Sequence, residues 1–214
     1  MLDKSIEFKS VIMRIEHDKI KVLDDAKLPD GFSFRFFESS SDVKHWGNIE
    51  ASVLEFDSES DACDFFEVSY LPNLHELQRR CIFITNSNGT PIATASAWYA
   101  DSELGYQASL HWVAVRPEYQ GKGLGRSITQ KAINVFCSLE PGKPVWLHTQ
   151  TWSHPAIKLY HSLGFNILKN ELLANMNTRD GVPKIYNNDF AEAMQILGKV
   201  MDSNYVELLY NTAV

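Results

Sequence analysis

The sequence predicts a single α/β domain (α+β, with a mixed sheet), and three observations carry that prediction. From residue 105 onward the pattern runs strand, helix, strand, helix, strand, and parallel neighbours joined by such helices take right-handed crossovers. Upstream, apolar or β-branched arms at residues 81–85 and 91–100 flank an Asn88-Gly89 turn, a strong hairpin signal. The third is size: 214 residues with 44% apolar and 12% aromatic content can bury one substantial core and suit one decorated domain better than two.

Residues 1–30 read as an N-terminal extension, with one strand-like run at 10–15 and a polar stretch that reaches Leu28-Pro29-Asp30-Gly31. The domain proper is then 31–214. Residues 32–37 read as a strand, and Ser41-Asp42 can cap a helix carrying Val43, Trp46, Ile49 and Val53 at near-helical spacing. A second helical stretch lies around 61–67. After the hairpin, residues 105–115 supply the next strand. Between 123 and 139, Leu124, Ile128, Ala132, Val135, Phe136 and Leu139 share one face, so this helix should cover the sheet. Residues 145–151 are strand-like, and the following helix has Pro155 at its start and Gly164 just past its end. Beyond Phe165, residues 170–188 are polar and broken by Asp180-Gly181 and Pro183. Phe190, Met194, Leu197 and Met201 mark a helix, read as an insertion at about 187–202 ahead of a terminal strand at 205–210.

Charge and cysteine usage narrow the function. The formal net charge of −7 argues against nucleic-acid binding, which usually requires a basic patch. The first twenty residues carry charges every few positions, with no apolar run of signal-peptide or membrane length. A soluble, cytoplasmic protein with no membrane association is expected. Cys63, Cys81 and Cys137 lie far apart, and no histidine pair has zinc-ligand spacing, so neither a disulfide framework nor a metal is expected.

The most informative stretch is 110–125, LHWVAVRPEYQGKGLG, an apolar strand that breaks into a turn with Gly121, Gly123 and Gly125 and then opens a helix. Alternate glycines let backbone N–H groups converge on anionic oxygens, and the helix N-terminus adds its positive dipole end. Neither of the two common phosphate fingerprints fits. A P-loop would need glycine at Arg116 and Ser or Thr after Lys122, and the dinucleotide motif would need glycine at Arg126.

The run does resemble the acyl-CoA signature of the GNAT N-acetyltransferases, Q/R-x-x-G-x-G/A, met by Gln120, Gly123 and Gly125 after a VAV strand and an Arg-Pro turn. A second resemblance lies in SHPAIKLYHSLGF, where Ala156, Leu159, Tyr160, Gly164 and Phe165 match the family's N-x-x-A-x-x-L-Y-x-x-x-G-F and Ser153 replaces the usual Asn. The resemblance covers about 110–165 and implies a GNAT-like acyl-CoA N-acyltransferase fold, a central mixed sheet flanked by helices. It also implies acetyl-CoA as cosubstrate and direct acetyl transfer to the primary amine of a small molecule or peptide. Carried over residue by residue, cofactor contacts fall on the main chain of Val113, Ala114 and Val115, on the turn Gln120, Gly121, Lys122, Gly123, Leu124, Gly125 and Arg126, and on Ser153, Ala156 and Tyr160.

The chemistry needs an unprotonated amine and a proton for the departing thiolate. Helix pattern alone makes Tyr160 a core-packing tyrosine; the resemblance makes it the general acid. His111 is the leading base, because strict alternation would put Ser109, His111, Val113 and Val115 on one strand face, and imidazole titrates near neutrality. A structural role for His111 stays open, as does His148 acting through water. His154 and His161 read as helix-start and helix-surface residues. Glu55, Asp57, Glu59 and Asp61 could draw an ammonium group, or form an exposed helix-capping loop. Trp46, Trp98, Trp112 and Trp152 serve either an acceptor site or the core. Two other readings remain: a non-catalytic acyl-CoA-binding module, and an interaction protein that forms a homodimer through its C-terminal helix and the 205–210 edge.

Overall fold

The computed structural model describes residues 2–20 and 27–214; part of the polar stretch before Leu28 falls outside these. Its elements are β1 (Ser10–Ile15), β2 (Ser33–Phe36), α1 (Asp42–Ser52), α2 (Glu59–Ser69), α3 (Leu74–Arg80), β3 (Cys81–Thr85), β4 (Pro91–Ser102), β5 (Gly105–Val115), α4 (Leu124–Leu139), β6 (Val145–Gln150), α5 (His154–Ser162), β7 (Asn166–Ile167), β8 (Leu173–Asn175), β9 (Lys184–Tyr186), α6 (Phe190–Val200) and α7 (Ser203–Thr212). Seven strands form one mixed sheet in the order β2-β3-β4-β5-β6-β1-β7, and β8 pairs with β9 apart from it. Only β5 and β6 pair in parallel within the large sheet, joined by α4.

Strand β1 does not stand outside the domain. It lies between β6 and β7, with Ser10 opposite Gln150 and Met13 opposite both Leu147 and Ile167. Its alternation explains the position: Val11, Met13 and Ile15 enter the main core, while Ile12 packs with Leu168 and Leu173 on the other face. The run at 205–210 is helical, not a strand. Asp202 accepts a hydrogen bond from the Tyr205 N–H and starts α7, whose Leu209 enters the core; a cap of this kind satisfies an amide that the helix cannot.

The sheet divides the apolar interior in two. On one face α4, α5, α6 and α7 contribute Leu124, Ile128, Phe136, Ile157, Leu197 and Leu209. On the other, α1, α2 and α3 pack Trp46, Ile49, Phe66 and Leu77 against Phe83 and Trp98. The β8–β9 pair covers the second face further along, through Leu173 and Tyr186 against Ile12 and Trp146. Among the described residues no helix is long and apolar enough to cross a membrane.

One irregularity shapes everything downstream. Ser96 pairs with His111 and Thr94 with Ala114, so one residue of β4 opposes Trp112 and Val113 of β5. Trp112 takes φ +53°, a conformation a bulky side chain adopts only under constraint. The constraint is visible: its ring is wedged among Trp46, Phe56 and Phe65, and its indole N–H donates to the Tyr70 hydroxyl at 2.8 Å. A bulge of this kind reverses alternation. Ser109, His111 and Ala114 therefore face the α1–α3 layer, whereas Val113 and Val115 pack towards α4. The single-face reading of Ser109, His111, Val113 and Val115 is corrected accordingly.

Candidate functional site

Strands β5 and β6 pair only from Ala108–Val145 to Leu110–Leu147. Beyond that point their lining residues border cavities on both faces of the sheet. On the α4–α5 face a cavity of about 470 Å³ is bounded by Val113, Ala114, Val115 and the turn to α4. On the α1–α3 face a second, of about 270 Å³, is bounded by β5, β6, α1 and the β8–β9 pair. Glu55, Val113, Ser153, Ala156 and Tyr160 line both and so form the wall the two spaces share.

The glycine turn is open to the first cavity for a steric reason. Gly121 and Gly123 hold φ +77° and +79°, and a Cβ on either would meet nothing within 4 Å. Gly123 is the N-cap of α4, and among the described residues no side chain caps that terminus. Its amides are thus left for an anion. Gly125 differs: it is helical, and a Cβ there would sit 3.6 Å from Leu159 Cδ2, ordinary contact. Gln120 Nε2 donates to the Val115 carbonyl at 2.8 Å and ties the turn to the strand end.

Most sequence-expected residues converge here. Gln120, Gly121, Gly123, Leu124, Gly125, Arg126, Ser153 and Ala156 all line the larger cavity with Val113, Ala114 and Val115. Lys122 does not; its ammonium leans over the rings of Phe32 and Tyr119, at 5.9 and 5.4 Å. Arg126 donates to Ser162 Oγ at 2.6 Å. Tyr160, 7% exposed, stands in the shared wall. Burial, reinforced by Glu55 and Glu50, raises its pKa and keeps the phenol protonated.

His111 lines the smaller cavity, but both ring nitrogens are engaged, Nδ1 with the Tyr70 hydroxyl at 2.8 Å and Nε2 with Ser109 Oγ at 3.1 Å. Because the Tyr70 oxygen already receives the Trp112 N–H, the consistent assignment has the Tyr70 hydroxyl donating to Nδ1 and Nε2–H donating to Ser109. Desolvation first, and His148 second, lower its pKa to about 3. His148 is lowered to about 4, mainly by burial; it hydrogen-bonds Ser10 Oγ and stacks on Tyr186.

These shifts have a stability consequence. Between about pH 6.5 and 3 the unfolded chain binds a proton at His111 that the folded chain refuses, so stability falls as pH drops through that window. Urea unfolding from pH 7 to 4 should show His111→Gln with a shallower slope, by up to about 1.4 kcal/mol per pH unit. Parallel slopes would mean that the imidazole is not held neutral.

The remaining candidates separate cleanly. Of the acidic residues Glu55, Asp57, Glu59 and Asp61, Glu55 reaches the cavities. Glu59 accepts from Asn48, and Asp61 joins the Ser58 cap of α2. Glu55 is exposed as a residue, yet burial around its carboxyl raises the pKa. Trp152 and Trp112 border the smaller cavity, while Trp46 and Trp98 are core. His161 bridges Tyr205 and Thr212 and so pins α7 to α5. No group of three or more His, Cys, Asp or Glu able to hold a metal occurs among the described residues.

Sequence reasoning missed Glu50, together with Phe8, Asn175 and Tyr186 in the same wall. Glu50 is 1% exposed, and its Oε1 has no hydrogen-bond partner among the described residues. A signal existed: Glu50 is four residues after Trp46 and three before Val53, inside the apolar stripe of α1.

Residues 47–165 match the model of the acetyltransferase (GNAT) family. The chain is 26% identical over 144 residues to mycothiol acetyltransferase of Thermomonospora curvata, covering 67% of this chain and 47% of the relative. It is 40% identical over 60 residues to the [ribosomal protein bS18]-alanine N-acetyltransferase of Escherichia coli, covering 28% of this chain and 40% of that protein. The chain thus spans less than half the length of these two relatives. Over 125 residues it is 25% identical to the N-alpha-acetyltransferase RimI of Mycobacterium tuberculosis, covering 58% of this chain and 73% of that one. Among solved structures, a GCN5-related N-acetyltransferase from Sphaerobacter thermophilus superimposes with a TM-score of 0.57 at 16% identity, over 76% of this chain and 49% of that chain.

Proposed function

Because the chain belongs to the GNAT acetyltransferase family, we propose that it is an N-acetyltransferase that takes its acetyl group from acetyl-CoA and passes it directly to the primary amine of a small molecule or peptide. The observation that carries this reading is that Tyr160 borders two cavities, one on each face of the sheet, where β5 and β6 no longer pair. One cavity suits a long anionic donor, the other an acceptor entering from the opposite face.

Bound, acetyl-CoA supplies a thioester whose carbonyl carbon accepts the amine. The amides of residues 121–125 and the α4 N-terminus would take its diphosphate, as orphan N–H groups at a helix start do. The main chain of Val113 to Val115, turned outward past the bulge, would hold the pantetheine arm and the carbonyl oxygen. Preorganised donors aimed at developing negative charge are worth several kcal/mol in such a site. Tyr160, kept protonated by burial, would give its proton to the sulfur.

Calorimetric titration with acetyl-CoA and a CoA-release assay over an amine panel test the reading; absence of donor binding, or binding without turnover on any amine, defeats it. Tyr160→Phe should lower kcat by about 10²-fold while changing the acetyl-CoA Kd less than about twofold. Equal turnover would remove the phenol from the reaction.

A further inference from the structure

We propose that the smaller cavity selects a small amine lacking a carboxylate, and that Glu50 is the group that takes up the ammonium proton there. This rests on the donor reading above. Three observations carry it. The Glu50 carboxyl is 1% exposed, borders the cavity, and leaves Oε1 without a hydrogen-bond partner among the described residues. A buried oxygen of this kind costs stability unless something arrives to satisfy it. Next, the cavity wall contains Glu50 and Glu55 but no Lys or Arg among its described residues, so a bound ammonium finds carboxyl oxygens in the wall and a bound carboxylate finds no cation in it; the ammonium groups of Lys4 and Lys184 lie over the rings of Trp152 and Tyr186 without lining the cavity. Finally, the alternative base is occupied: His111 is held at both nitrogens by Tyr70 and Ser109.

Burial also raises the Glu50 pKa well above the ordinary carboxylate value, with Glu55 adding to the shift. A carboxyl so displaced moves towards the range in which a general base works at neutral pH. The titratable groups that border the cavity with it are Glu55 after α1, His111 on β5, His148 on β6, Tyr160 on α5 and Tyr186 on β9; Tyr70, the residue that follows α2, stands behind His111. The histidines are lowered and the tyrosines raised, so all are neutral near pH 7 and the two carboxyls remain to take protons.

The step balances as follows. The Glu50 carboxylate takes one proton from the ammonium, and the freed nitrogen pair forms the C–N bond as the C–S bond breaks. The leaving thiolate takes the Tyr160 proton, the acylated nitrogen returns its surplus proton to the phenolate, and Glu50 releases its proton to solvent.

The test pairs substrates that differ only in the α-carboxylate, tyramine with tyrosine, histamine with histidine and cadaverine with lysine, on wild type and Glu50→Gln with saturating acetyl-CoA. At least one amine should exceed its amino acid by about 10²-fold or more in kcat/KM. At pH 7 Glu50→Gln, which keeps shape and removes charge, should lose about 10²-fold, and its rate should keep climbing past pH 9 as the free amine accumulates. Amino acids accepted as well as amines, acceptance of peptide N-termini alone, or an unchanged pH profile in Glu50→Gln would each overturn the inference. Failure of acetyl-CoA to bind in calorimetry would instead remove the donor reading on which it rests.

Discussion

Gly123→Val is expected to abolish measurable acetyl-CoA binding while leaving the protein folded. Gly123 holds φ +79° at the start of α4, where an L-residue costs about 1–2 kcal/mol and a β-branched one is an outlier. The chain can relieve that strain by rotating the peptide, which turns the N–H groups of the turn away from the cavity. A Cβ at this position also projects into space that nothing in the protein fills within 4 Å, the space assigned to the diphosphate. The loss should be at least about 30-fold in Kd, about 2 kcal/mol. Gly125→Ala provides the contrast, because its Cβ would meet Leu159 at 3.6 Å and Val115 at 3.9 Å, both ordinary contact, and binding should stay within about threefold. Calorimetry on both variants checks the pair; equal effects would mean that the turn's backbone geometry is not what holds the donor.

Arg80→Ala is expected to cost about 3–5 kcal/mol of stability without altering the site. The guanidinium is 4% exposed and makes three polar contacts: to Glu76 at 2.5 Å, to the Ala97 carbonyl at 3.0 Å and to Glu140 at 2.8 Å. It also lies 4.8 Å from the Tyr99 ring centre. These partners belong to α3, to β4 and to the residue following α4, so one side chain joins three parts of the chain. Removing it leaves the Glu140 carboxylate buried with Tyr106 and Lys143 as its remaining partners among the described residues, and breaking such a pair from one side costs about 3–5 kcal/mol. Adding Glu140→Gln should recover part of the loss. Urea unfolding measures both, and a loss under about 1 kcal/mol for Arg80→Ala would show that the network is not a structural tie.

The side of the site proposed for the donor was legible because it is made of backbone. Glycine spacing reports φ directly, and the strand-turn-helix around residues 105–139 is continuous in sequence, so Gly121, Gly123 and the helix they open were readable together. The side proposed for the acceptor was not, because it is assembled from distant pieces and turns on one irregular residue. Strict alternation could not anticipate that Trp112 would take a positive φ and shift Val113 away from His111. Short elements were lost for want of signal: α3 spans seven residues and β8 and β9 three each, too few for a period to emerge. The run YVELLY at 205–210 has the β-branched and aromatic content of a strand, yet the cap at Asp202 and the burial of Leu209 decide for helix.

The place of β1 in the sheet bears on how the molecule comes into being. Ser10 meets His148 across a separation of 138 residues, and contacts so remote along the chain form slowly because a long loop must close first. During synthesis this strand leaves the ribosome well before either of its neighbours, β6 and β7, exists. Until they emerge, Val11, Met13 and Ile15 have no neighbouring strands to pair with. The nascent protein therefore carries this apolar segment without its partner strands until β6, at Val145–Gln150, has been made.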